Sequence, residues 1–116
     1  MITGVHAVVF SPRAEAVRAF FAGTLGLPSV DAGGGWPIFA LPPAELAVHP
    51  ADGDTHHELY LMCDDIHATL AELRGKGAEV ARDVSDQGWG LLAAIRLPDG
   101  SEFPVYQPRH PSPPQP

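Results

Sequence analysis

A chain of 116 residues with a formal net charge of -7 fits one domain and lacks the basic face that nucleic acid or an anionic membrane needs in a partner. A single cysteine, Cys63, excludes an internal disulfide framework, and no apolar run approaches the length of a membrane span. Ile2–Phe10 also lacks the basic and apolar regions of a signal peptide, so the expected location is the cytoplasm.

In chain order, Ile2–Phe10 is β-rich and is stopped by Ser11-Pro12, which suits a helix start. Arg13–Ala22 carries Ala16, Val17, Ala19, Phe20 and Phe21 at the spacing of one packed helical face, and Gly23 and Gly26 end it. Pro28–Ala32 is a short strand candidate, Gly33-Gly34-Gly35 a turn, and Trp36–Leu41 with Glu45–His49 a hairpin joined by Pro42-Pro43. After the linker Ala51–Thr55 the order recurs. His57–Cys63 reads as a strand, Asp64 or Asp65 caps a helix over Ile66–Lys76, and Ile66, Leu70 and Leu73 form its buried stripe. Ala78–Val84, Trp89–Arg96 and Glu102–Gln107 read as strands, with turns at Asp86-Gln87-Gly88 and Leu97-Pro98-Asp99-Gly100.

The second half repeats the first. At an offset of 52, His6 falls on Glu58, Val9 on Leu61, Phe10 on Met62, Arg13 on Asp65 and Phe21 on Leu73. At an offset of 57, Glu45–His49 falls on Glu102–Tyr106. Such a self-match marks one supersecondary unit used twice. The predicted fold class is therefore α+β: tandem βαβββ modules, residues 1–50 and 56–108, forming a curved mixed sheet that lines a cleft. Residues 109–116, the end of a proline-rich tail with no apolar anchor, are expected to be disordered.

Strand alternation puts His6 and Glu58 on matching faces, and the cost of burying a carboxylate against a helix directs that face to the cleft. His57 points away from His56 and Glu58, so these three do not converge. Trp36, Tyr60, Trp89 and Tyr106 fall on strands and are the candidate walls of a small-molecule pocket, which needs apolar surface with a few placed polar groups. Cys63 reads as inert core.

The tandem pattern, together with Ala19-Phe20-Phe21-Ala22-Gly23-Thr24-Leu25-Gly26-Leu27 and Leu97-Pro98-Asp99-Gly100, resembles the vicinal oxygen chelate superfamily over residues 2 to about 108. That superfamily includes glyoxalase I, extradiol dioxygenases and the bleomycin- and fosfomycin-resistance proteins. The resemblance implies the glyoxalase/bleomycin-resistance fold, a homodimer and a site with metal ligands at four equivalent strand positions. Carried over, two of those positions are His6 and Glu58, and the others fall near Ala47 and Pro104, neither of which binds a metal. Glu102 stands two residues before Pro104, about 6.6 Å along a strand, and reaches the ligand position only if a bulge shifts the register.

Two functions follow as expectations. One is a lyase- or dioxygenase-like enzyme in which His6, Glu58 and Glu102 hold a divalent Fe, Mn, Ni or Zn ion, with Glu102 as ligand or general base. The other is a metal-free protein that sequesters a drug or aromatic metabolite between Trp and Tyr side chains. A decayed ancestral site is the third and blander outcome.

Overall fold

The computed structural model describes residues 6–114. It contains two helices and six strands in the order α1 (Ala14–Gly23), β1 (Ser29–Asp31), β2 (Pro37–Phe39), β3 (Leu61–Met62), α2 (Ile66–Gly75), β4 (Glu79–Asp86), β5 (Gly90–Arg96) and β6 (Glu102–Pro108). β1 and β2 form a two-stranded antiparallel sheet, and the other strands form a mixed sheet in the order β3-β6-β5-β4. The architecture is the expected α+β one, with the second half built more fully than the first. Among the described residues no helix is long and apolar enough to cross a membrane.

Both helices start close to where the apolar periodicity puts them. Asp65 caps α2, its Oδ1 accepting the Ala68 amide at 3.1 Å. The Gln107 side-chain oxygen accepts the Ile66 amide at 2.9 Å, so a second orphan donor of the first turn is satisfied from β6. One apolar core results. Ile66, Leu70 and Leu73 of α2 pack on Ala93, Ile95, Phe103 and Val105 of β5 and β6. Val17 of α1 is buried in the same cluster, with Phe20 and Phe21 half-buried beside it. Phe21 meets Phe39 and Phe103 with ring centroids 5.8 and 6.0 Å apart, and so joins α1 and β2 to the larger sheet.

Three strand expectations change. Within Ile2–Phe10, residues 2–5 lie outside the described part, and His6–Phe10 forms no strand and is exposed. Glu45–His49 forms no strand either, so β2 pairs backward with β1 instead of forward across Pro42-Pro43. The three-glycine turn explains that choice. Gly33, Gly34 and Gly35 all take positive φ, which glycine adopts without a Cβ clash. The Asp31 carboxylate accepts the Gly33 amide at 2.8 Å, and the Ala32 amide donates to the Trp36 carbonyl at 2.8 Å. His57–Cys63 shortens to the two residues of β3. The Cys63 amide donates to the Tyr106 carbonyl, so the polar backbone of Tyr106 faces β3, and so does that of Pro104 two residues earlier. Proline has no N–H to give there, and the ladder begins only at Leu61↔Val105.

β6 is in unbroken register with β5 from Arg96↔Glu102 through Ala94↔Pro104 to Gly90↔Pro108. The bulge that would carry Glu102 to the Pro104 position is absent; the irregularities lie in β4, between Val80 and Arg82 and between Arg82 and Ser85.

Two ties fasten the start of the first half to the Leu97–Gly100 turn: the Ser11 hydroxyl donates to Asp99, and Arg13 donates to the Pro98 carbonyl at 2.6 Å. The Asp99 carboxyl is held down to about 2 by hydrogen bonds from Ser101 and Ser11.

Candidate functional site

Strand register decides which side chains share the face opposite the core. Met62 pairs with Tyr106, Tyr106 with Leu92, Ala94 with Pro104 and Arg96 with Glu102. Paired residues point to one side of a sheet, so these side chains cover the face that α2 leaves open. An open cleft of about 720 Å³ lies over this face, with Glu58, Tyr60, Arg82, Leu92, Glu102 and Pro104 among its lining residues. That volume falls within the range of small-molecule sites.

At one side of the cleft, Tyr106 is the centre of a ring cluster. Tyr60 meets it edge-on at 5.8 Å and 86°, and Trp89 at 5.6 Å and 70° from the other side. His110 lies at 6.4 Å, tilted by 32°. Edge-to-face geometry is the favourable one for such rings. Tyr60 belongs both to the cleft wall and to the cluster. Tyr60 and Trp89 keep 37% and 50% of their surface exposed, which leaves ring area for a ligand.

Three of the four aromatic candidates, Tyr60, Trp89 and Tyr106, thus come together. Trp36 does not join them. It lies on the β1–β2 hairpin, 65% exposed, with the Arg18 guanidinium 4.8 Å from its ring centroid, a surface cation–π contact.

The expected metal ligands are not brought together. His6 and Glu58 are both exposed, and the Glu58 carboxylate accepts a long 3.4 Å hydrogen bond from the Tyr60 hydroxyl. Glu102 stays in register opposite Arg96, and its carboxylate is engaged by the Arg82 guanidinium. Among the described residues no three His, Cys, Asp or Glu side chains form a group able to hold a metal ion. A divalent ion of the expected kind needs such a converging set, so the donors present do not fit it. Glu102, expected as metal ligand or general base, has its carboxylate taken up by Arg82 and no converging donors beside it among the described residues.

Burial raises the pKa of Tyr60, and the neighbouring Glu58 charge adds to the rise. Tyr106 is raised in the same way by burial and by Glu45. Each phenol therefore stays protonated and lies beside a carboxylate. Glu45 itself hydrogen-bonds His110 at 2.7 Å, which lowers its pKa against the opposing effect of burial. The Cys63 thiol is half-buried and raised by burial, in keeping with an inert core position.

Sequence reading missed the residues that brace the cluster. Arg109 makes a paired contact with Asp86, at 2.6 and 2.9 Å, and also donates to the Gly88 carbonyl, while its amide donates to the carbonyl of Trp89. This contact holds the Asp86 carboxyl at about 2. Arg109 and His110 belong to the 109–116 stretch expected to be disordered; here Arg109 contacts the Asp86–Trp89 turn and His110 lies beside the Tyr106 ring. The only signal was their chemistry: a cation and an imidazole interrupting an otherwise proline-rich run.

A family model described as a glyoxalase-like domain matches residues 6–106. Solved structures share the fold. An antibiotic binding protein, TnmS3 from Streptomyces sp. CB03234, is 24% identical with a TM-score of 0.66, over 92% of this chain and 97% of that one. A protein described as lactoylglutathione lyase from Agrobacterium tumefaciens is 14% identical with a TM-score of 0.64, over 90% and 92% of the two chains. A member of the glyoxalase/bleomycin resistance protein/dioxygenase superfamily from Sphaerobacter thermophilus DSM 20745 is 20% identical with a TM-score of 0.59, over 91% and 98%. No curated protein matches the sequence.

Proposed function

This chain belongs to the glyoxalase-like domain family, and we propose that within that family it is a binding protein that sequesters a small ring-bearing molecule, of the drug or aromatic-metabolite kind, without a metal. The observation that carries this reading is the cluster of Tyr60, Tyr106 and Trp89 beside the open cleft. Flat rings present large apolar area with few rotatable bonds, so they bind planar ligands at low entropic cost. The antibiotic-binding description of a structure of the same fold supports the choice. Metal-assisted enzyme chemistry is the weaker reading, because Arg82 occupies Glu102 and neither His6 nor Glu58 has a converging third donor among the described residues.

The binding unit in this proposal is a homodimer. Phe10, Leu46 and Val48 are 92%, 90% and 87% exposed, an unusual cost for a protein to leave in water. A second copy of the chain covers them in this reading.

The test is fluorescence quenching of the two tryptophans by a panel of ring-bearing antibiotics. A Trp36→Phe variant keeps Trp89 as sole reporter and retains quenching. Trp89→Ala, which removes the reporter and is therefore followed by isothermal titration, weakens binding about tenfold, equivalent to about 1.4 kcal/mol. A panel that quenches neither wild type nor Trp36→Phe, or an affinity unchanged in Trp89→Ala, overturns the assignment of the cluster as the binding wall.

A further inference from the structure

The ring cluster carries charge in a specific arrangement. The cleft is lined by three carboxylates, Glu58, Asp83 and Glu102, and one cation, Arg82. Arg82 is taken up by Glu102, and Asp83 is paired with Arg74 at 3.5 Å. Glu45, which does not line the cleft, is paired with His110. Glu58 is then the cleft carboxylate with no basic partner among the described residues. Its one hydrogen bond there is from the Tyr60 hydroxyl. A phenol that donates to a carboxylate is polarised toward its oxygen, and its ring face becomes more attractive to a cation. Tyr106 likewise has a carboxylate neighbour in Glu45.

We propose that the cleft selects planar organic cations, with the ring system against Tyr60, Tyr106 and Trp89 and the positive charge beside Glu58. The inference rests on the small-molecule binding function proposed above and narrows it to one class of ligand. Three features act together. Ring faces attract a cation within about 6 Å of their centroids. An unpaired carboxylate at the cleft wall supplies the counter-charge, and the net charge of -7 favours approach of cations and disfavours anions. Among the described lining residues the one cation, Arg82, is already paired with Glu102, so an anionic ligand meets no free counter-ion there.

Three molecules with one ring skeleton separate charge from shape: 9-aminoacridine as the cation, acridine as the neutral form and acridine-9-carboxylate as the anion, near neutral pH. Isothermal titration of the intact protein is expected to give at least about tenfold tighter binding of the cation than of acridine, with the anion weakest. In Glu58→Gln, an exposed and isosteric change, the preference for the cation over acridine falls to about twofold. Raised salt narrows the preference in wild type, as an exposed charge pair requires. Equal binding of all three leaves the binding function standing and overturns the cation preference. A preference that survives Glu58→Gln overturns the assignment of the charge to Glu58. Failure of every acridine to bind overturns both the preference and the aromatic-binding function beneath it.

Discussion

Leu61–Met62 and Glu102–Pro108 form a parallel strand pair inside the larger sheet, whereas their repeat counterparts Val9–Phe10 and Glu45–His49 have no strand partner among the described residues. The apolar patterns are alike, so pattern alone does not account for the difference. The second half adds a long antiparallel pair, β5–β6, whose inner face carries Ala93, Ile95, Phe103 and Val105 against the stripe of α2. Among the described residues the first half puts one buried apolar side chain, Val17, into the core, and its middle is interrupted by three consecutive glycines and Pro42-Pro43. Strands form where a neighbouring ladder and a buried face reward them; β-propensity measures fit to that surroundings more than an intrinsic preference.

The strongest way to break this contrast is to truncate one apolar residue on each side. Ile95→Ala, at 0% exposure, is expected to cost about 2–5 kcal/mol in urea unfolding. Val48→Ala, at 87% exposure, is expected to fall within about 0.5 kcal/mol. Comparable losses would mean that the first half is built in solution as fully as the second, most simply by a partner strand from another copy. A concentration-dependent loss at Val48 alone would identify that partner as the second copy.

Glycines give a finer test. A Cβ on Gly90 would lie 2.6 Å from the Gln107 carbonyl oxygen, a backbone atom that cannot step aside. Gly90→Ala is expected to cost about 1–3 kcal/mol, the usual penalty of overpacking. Gly23, at the last position of α1, has open space around it and no positive φ. Gly23→Ala is therefore expected to be neutral or to stabilise by up to about 1 kcal/mol. Thermal melts of the two variants with opposite sign support the close β5–β6 approach; melts that move together argue against it.

The acid limb of stability separates the bracing of the ring cluster from the core. Asp86 is held at about 2 by Arg109, below its ordinary 3.8. A depressed carboxylate stabilises the folded state above its ordinary value, and that contribution fades as pH falls through the folded one. Asp86→Asn is thus expected to be less stable than wild type above about pH 4, with the gap closing toward pH 2. A gap of constant size across that range would show that the Asp86–Arg109 contact does not contribute to stability. The smallest effect is expected at Arg74–Asp83, where the side chains are 55% and 91% exposed; Arg74→Ala should shift stability by less than about 0.5 kcal/mol.

Much of this fold was legible in the sequence because its signals were local. The α2 stripe of Ile66, Leu70 and Leu73, the Asp65 cap and the turn at Leu97–Gly100 depend on residues within one or two turns of chain. Of the aromatic candidates only Tyr106 lies on a strand; Tyr60 and Trp89 each stand one residue before β3 and β5, so strand alternation alone does not account for their meeting. The failures depend on distant partners. Whether Glu45–His49 pairs depends on a strand elsewhere, and the competing hairpin at Gly33–Gly35 was the stronger local signal. Glu102 looked available because nothing in its own strand reveals Arg82, which reaches it from β4. Arg109 and His110 were hidden for the same reason, since Asp86 and Glu45 lie 23 and 65 residues away.

The contact of Arg109 with Asp86, Gly88 and Trp89 has a practical consequence for anyone trimming this chain. The repeat ends at about Pro108, and an expression boundary drawn there by symmetry would keep every strand yet release the turn that carries Trp89. Such a truncated protein should melt cooperatively and look intact by far-ultraviolet circular dichroism, while its Trp89 emission shifts to the red. The repeat and the proposed binding unit differ by two residues, and the second is the one to preserve.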